Sequence, residues 1–167
     1  MIGEFWKWLR GKDLPVREGI LTFDISPILT AERERWAERK RTGLVEVERW
    51  DGIMYPVTAR DMRRIWRSID FGEYSAHNDC DDFGFGYIFG AKQWYKERLP
   101  QNPKRYPVSI AVGMIVVEPP QIPDIVCFGV SPDKQVYYLE PIAGKMLGSK
   151  RDMRQIWDNY RSVTLAC

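Results

Sequence analysis

Three observations predict an α+β fold for this chain. Helix signals dominate its N-terminal half. After Pro107 the sequence turns to Val- and Ile-rich runs broken by Pro-containing turns. One further helix signal follows near the C-terminus. Helices first, then an antiparallel meander, then a closing helix is a segregated order, and segregation argues for α+β over alternating βαβ units. The 167 residues suit one domain. An N-terminal extension or docking arm is expected over residues 1–45, and the domain proper over 46–167.

The elements follow in order. Residues 4–10 (Glu-Phe-Trp-Lys-Trp-Leu-Arg) suit one or two helical turns packed on the domain or on a partner. Residues 19–29 read as extended and half-buried. Ala31 to Arg41 is a dense run of mixed charge, with opposite signs three and four apart as on an exposed helix. Gly43 is expected to stop that helix, and Leu44 to Glu48 alternates as a strand does. Arg60-Asp61-Met62-Arg63-Arg64-Ile65-Trp66 then recurs as Arg151-Asp152-Met153-Arg154-Gln155-Ile156-Trp157. Thr58 and Ser149 each stand three positions before the Asp, the spacing of a capping box. Met, Ile and Trp fall at i, i+3 and i+4, so each copy predicts an amphipathic helix. The repeats are too short to argue a duplication. Val108–Val117 and Ile125–Val130 read as strands, Glu118 to Pro123 as a stiff loop, and Gln135–Glu140 as a return strand. Ser131-Pro132-Asp133-Lys134 is the turn before it, with Pro at the second position.

Composition narrows the function. Basic and acidic residues number 25 and 23, a net charge of +2, so no specific nucleic-acid partner is expected. No apolar run approaches the roughly 18 residues of a membrane span, and no signal-peptide pattern opens the sequence. A cytoplasmic location is the expectation. Three cysteines, Cys80, Cys127 and Cys167, are too few for a disulfide framework.

The candidate site lies in Asn78-Asp79-Cys80-Asp81-Asp82-Phe83. A cysteine at a helix start is a natural nucleophile, because the positive helix end favours thiolate. Such a nucleophile needs a base. The lone histidine, His77, precedes Cys80 by three residues and is the substitute base if it turns inward; its plain reading is a loop residue. If Ser131 faces Lys134 across the turn, Glu140 stands opposite Ile125, beside Asp124, and a one-residue bulge sets Glu140 against Asp124 itself.

Cys80-Asp81-Asp82-Phe83-Gly84 and Tyr138-Leu139-Glu140-Pro141 resemble the papain-like domain at the C-terminus of Marasmius oreades agglutinin and its bacteriophage homologues. The resemblance covers roughly Tyr55 to Leu147. It implies that Cys80 matches the nucleophile and Glu140 the acid that orients the histidine. Gly84 and Gly86 stand where that family usually has Ala. The family's histidine falls at Asp124, and its following Asn at Cys127. The resemblance therefore implies a papain-like scaffold without its usual base: a structural or binding protein with protein partners, virion subunits or copies of itself. The alternative is a live cysteine peptidase or amidase with His77 or Asp124 as an atypical base. A third reading is a small-ligand module in the former substrate cleft. The family is also associated with calcium, for which Asp79, Asp81 and Asp82 offer oxygens; the plainer reading assigns these acids to the helix start, and no cofactor is expected.

Overall fold

The computed structural model describes residues 14–47, 52–73, 79–99, 106–107, 109–118 and 124–165. The turns expected at 4–10, the loop at 119–123, His77 and Cys167 lie outside the described residues. The chain is α+β. The elements are β1 (Ile20–Leu21), α1 (Thr22–Trp36), β2 (Ile53–Tyr55), α2 (Ala59–Arg67), α3 (Cys80–Glu97), β3 (Ser109–Ile110), β4 (Val112–Val117), β5 (Ile125–Val130), β6 (Val136–Glu140), β7 (Lys145–Leu147), α4 (Lys150–Asn159) and β8 (Tyr160–Leu165).

The meander predicted after Pro107 forms a five-stranded antiparallel sheet of order β7-β6-β5-β4-β8. A smaller sheet, β1-β2-β3, adjoins it. Ala111 is the joint: its N–H donates to the Tyr55 carbonyl at 2.8 Å, and its carbonyl accepts from Val130 N–H at 3.0 Å. One chain position thereby passes from one sheet to the other with no backbone group left unpaired.

Both faces of the larger sheet are covered, which explains why all six residues of β5 are buried. An antiparallel strand with one wet face would alternate; one between two helical layers reads as a continuous apolar run. Val126, Phe128 and Val130 point to the layer of α1 and α4, with Ile25, Leu29, Met153, Ile156 and Trp157. Ile125 and Cys127 point to the layer of α2 and α3, with Met62, Ile65, Tyr87, Ile88 and Ala91. Both predicted capping boxes form, Thr58 with Asp61 and Ser149 with Asp152.

Four expectations differ from the structure. Residues 22–29 are helical, since α1 begins at Thr22 and carries Pro27 on its exposed side. Its buried stripe is Thr22, Ile25, Ser26, Leu29, Thr30 and Arg33, a helical spacing in which polar members outnumber apolar ones. Hydrophobic periodicity alone does not register such a stripe. The helix ends at Trp36, well before Gly43. Beyond it the Asp158 carboxylate accepts the N–H groups of Glu38 and Arg39, both at 2.8 Å, and draws the chain toward α4. The segment at 44–47 keeps the alternation of a strand, with Val45 and Val47 buried, but bonds to side chains: Ser26 Oγ donates to the Val45 carbonyl, and Val45 N–H donates to Thr30 Oγ1 at 2.8 Å. Finally, β8 has no counterpart among the expected strands. Its inward residues Val163 and Leu165 alternate with Ser162 and Thr164 against β4.

Among the described residues, Ile25, Leu29 and Val45 share one core cluster with Ile115, Phe128 and Trp157. Ile25 and Leu29 are fully buried, and Arg17 pairs with Asp61 at 2.7 Å.

Candidate functional site

Cys80 is the first residue of α3. Asp79 is its N-cap, with Asp81 N–H donating to Asp79 Oδ1 at 3.1 Å and Asp79 N–H donating to Asp82 Oδ2 at 3.3 Å. A third device seats the helix. A Cβ at Gly84 would stand 2.5 Å from Ile125 Cγ2, so only glycine lets α3 approach β5 this closely. The departure from the Ala that the resemblance leads one to expect at this position has that steric cause.

On the sheet, Asp124 directly precedes β5, and its carbonyl accepts from Val117 N–H at 2.7 Å. This fixed backbone carries the side chain to the helix start. The Cys80 thiol lies 3.7 Å from Asp124 Oδ2 and 3.7 Å from Asp81 Oδ1, and its single proton serves one of them at a time. The half-buried thiol is pushed up from 9.0 to about 11, by burial first and then by the charges of Asp81, Asp124 and Asp79. The helix end acts in the opposite direction, but it is worth only about 0.3–1 kcal/mol, under one pKa unit. The acids and the burial win. At neutral pH the thiol form dominates.

Glu140 stands elsewhere than expected. Lys134 N–H donates to the Ser131 carbonyl at 2.9 Å, so the predicted four-residue turn exists. Lys134 then adopts a left-handed φ of 61°, and Ser131 N–H bonds to the Gln135 carbonyl at 2.9 Å. This is a three-residue loop, a turn followed by a left-handed residue. It shifts the register by one, so that Cys127 faces Leu139; continuing that register sets Glu140 across from Val126. The Glu140 carboxylate turns back on its own chain, accepting from Ile142 N–H at 2.6 Å and Ala143 N–H at 2.9 Å. It caps the turn into β7. Cys127, fully buried nearby, has its thiol pushed up by burial and by Glu140.

Trp66 is a residue that helical spacing places only in the core. Its indole N–H donates to the Pro141 carbonyl at 2.7 Å, and a Cβ on Gly144 (φ +65°) would meet its ring at 2.4 Å. It anchors the turn that Glu140 caps. The Glu-Pro-Xaa-Ala-Gly sequence at 140–144 and the Trp are both visible in the sequence, but nothing in the spacing joins them.

As a calcium site the acids fit poorly. Calcium takes six to eight oxygens. Asp79, Cys80 and Asp81 offer ligand atoms within 4.8 Å of one another, one of them a sulfur, while Asp79 and Asp82 already accept the helix's own N–H groups. Trp94 and Tyr95 are buried toward the other end of α3, where the Tyr95 hydroxyl donates to the Pro107 carbonyl at 2.6 Å.

No protein-family model and no curated protein matches the chain. Solved structures do share its fold. The Polyporus squamosus lectin bound to the human-type influenza-binding epitope Neu5Aca2-6Galb1-4GlcNAc superposes with a TM-score of 0.66 at 16% identity, over 90% of this chain and 50% of that one. The PSL1a–E64 complex gives 0.64, also at 16% identity, over 90% and 51%. The chain thus spans about half the length of these neighbours.

Proposed function

We propose that this chain is a catalytically silent papain-like domain that acts by binding or by building structure. One observation carries the reading: a carboxylate, Asp124, stands 3.7 Å from the Cys80 sulfur, where such a hydrolase needs an imidazole. A carboxylate is a weak base toward a thiol and cannot make a thiolate–imidazolium pair. Glu140, the acid expected to orient that imidazole, is occupied with two backbone N–H groups. The shared fold with a lectin supports a binding role, for a carbohydrate or a protein ligand. Because the chain spans half of that neighbour, the glycan that the lectin holds is not assigned to this chain. A place in a virion or another assembly rests on the resemblance alone.

The test is Asp124→His. If the scaffold has lost only its base, the variant alkylates with iodoacetamide at about pH 6 at least tenfold faster than the parent, since an imidazolium beside sulfur stabilises thiolate. No gain would remove Asp124 from the position of the lost base. Conversely, alkylation of the parent at that pH faster than a free thiol would favour the live peptidase or amidase.

A further inference from the structure

A second site lies on the opposite face of the sheet. Arg33 belongs to the buried stripe of α1 and is 3% exposed. Its guanidinium donates to the Gly43 carbonyl at 2.6 Å and to the Tyr160 hydroxyl at 3.3 Å. Both acceptors are neutral, and among the described residues no carboxylate lies within ion-pair distance of it. A guanidinium does not shed its proton, and a buried charge without a counter-charge is costly.

Arg33 opens onto a cavity of about 890 Å³ between α1, residues 40–47 and β8. Its wall also carries Lys40, Arg41 and Arg161, with Thr42 and Ser162 as hydroxyl donors; Glu46 is its one acid among the described residues. The neighbouring acids are already engaged. Asp158 accepts two backbone N–H groups, Glu38 pairs with Arg154 at 2.6 Å, and Glu118 pairs with Arg161 at 3.3 Å. The rim is also held in place, because Arg41 stacks 4.8 Å over the Tyr160 ring and donates to the Tyr160 carbonyl at 3.0 Å. Lys40 stands beside it and makes no ion pair among the described residues.

We propose that this cavity binds a small ligand through a multiply charged oxyanion group, a phosphate or a polycarboxylate. Arg33 is the buried anchor, and Lys40 and Arg41 are the rim. A preset guanidinium fork with spare N–H groups matches either oxyanion, and the ligand supplies the counter-charge that Arg33 lacks.

Titration calorimetry of the full chain with inorganic pyrophosphate, and separately with citrate, tests this. We expect saturable one-to-one binding of at least one anion, weakening as salt rises; which anion binds tells phosphate from carboxylate chemistry. Lys40→Glu should weaken it roughly tenfold, and Arg33→Met should abolish it with the far-ultraviolet circular dichroism unchanged. Should Arg33→Met fail to fold, the exposed pair Lys40→Ala/Arg41→Ala decides in its place, with a loss of roughly tenfold. No binding of either anion by the parent overturns the proposal, as does an affinity that Lys40→Glu leaves unchanged.

Discussion

On one face of the five-stranded sheet α2 opens on Thr58 and turns Met62, Ile65 and Trp66 inward; on the other α4 opens on Ser149 and turns in Met153, Ile156 and Trp157. The two starts are built alike, yet the two tryptophans differ. Trp157 is fully buried, packs edge-on against Tyr138 and Tyr160, and donates to the Tyr138 hydroxyl at 3.2 Å. Trp66 is half-buried and holds the turn beyond Glu140 through Pro141. A repeated heptapeptide dictates a helix start and an inward stripe; the sheet face it meets decides whether its aromatic closes a core or braces a loop. Truncation should expose the difference most strongly. Trp157→Ala should cost about 3–5 kcal/mol in urea unfolding, as for a large core residue. Trp66→Ala should cost about 1–3 kcal/mol, from its lesser burial and the loss of a single hydrogen bond. Equal losses would mean that Trp66 belongs to the core as fully as its counterpart.

The caps should separate next. Ser149→Ala removes an exposed box and should cost about 1 kcal/mol. Thr58→Ala should cost more, about 2 kcal/mol, because Asp61 is 5% exposed, takes the Thr58 hydroxyl at 2.8 Å and also holds Arg17. Thermal unfolding of the two variants side by side checks the order, and an equal shift in the two midpoints would deny Arg17 any share in the box.

The legible regions of the fold are those where one local rule is enough. Spacing foretells both capping boxes, the meander and its turn residues, because each depends on a few neighbouring positions. The resemblance, not spacing alone, sets Asp124 at the histidine position, and its carboxylate lies 3.7 Å from the Cys80 sulfur. What stays hidden depends on distant partners. α1 is masked because Ser26, Thr30 and Arg33 fill its inward stripe, their polar groups satisfied by Val45, Gly43 and Tyr160. Glu140 stands one residue from its expected register, since a non-glycine left-handed residue at Lys134 lengthens the loop and carries no strong sequence mark. The cationic cavity is invisible for a related reason: its members come from α1, the segment after it and β8, and a net charge of +2 averages them against the acids around Cys80.

That separation of charge between the faces can be tested in its smallest effect, at the thiol. Burial and three acids raise Cys80 to about 11, so the folded state favours the neutral form. Its contribution to stability is complete below the unfolded thiol's pKa and is lost as pH rises through about 11. The alkylation rate should therefore still be climbing steeply at about pH 10, where a free thiol's is levelling off. Asp81→Asn removes the largest of the charge contributions while leaving the Asp79–Asp82 capping box intact. It should lower the midpoint by less than about one unit and speed alkylation at about pH 8 by a few-fold. Because Asp81 is exposed, added salt should narrow the gap between parent and variant. A gap that ignores salt would mean burial alone sets the thiol, and the acids on this face would then be capping groups only.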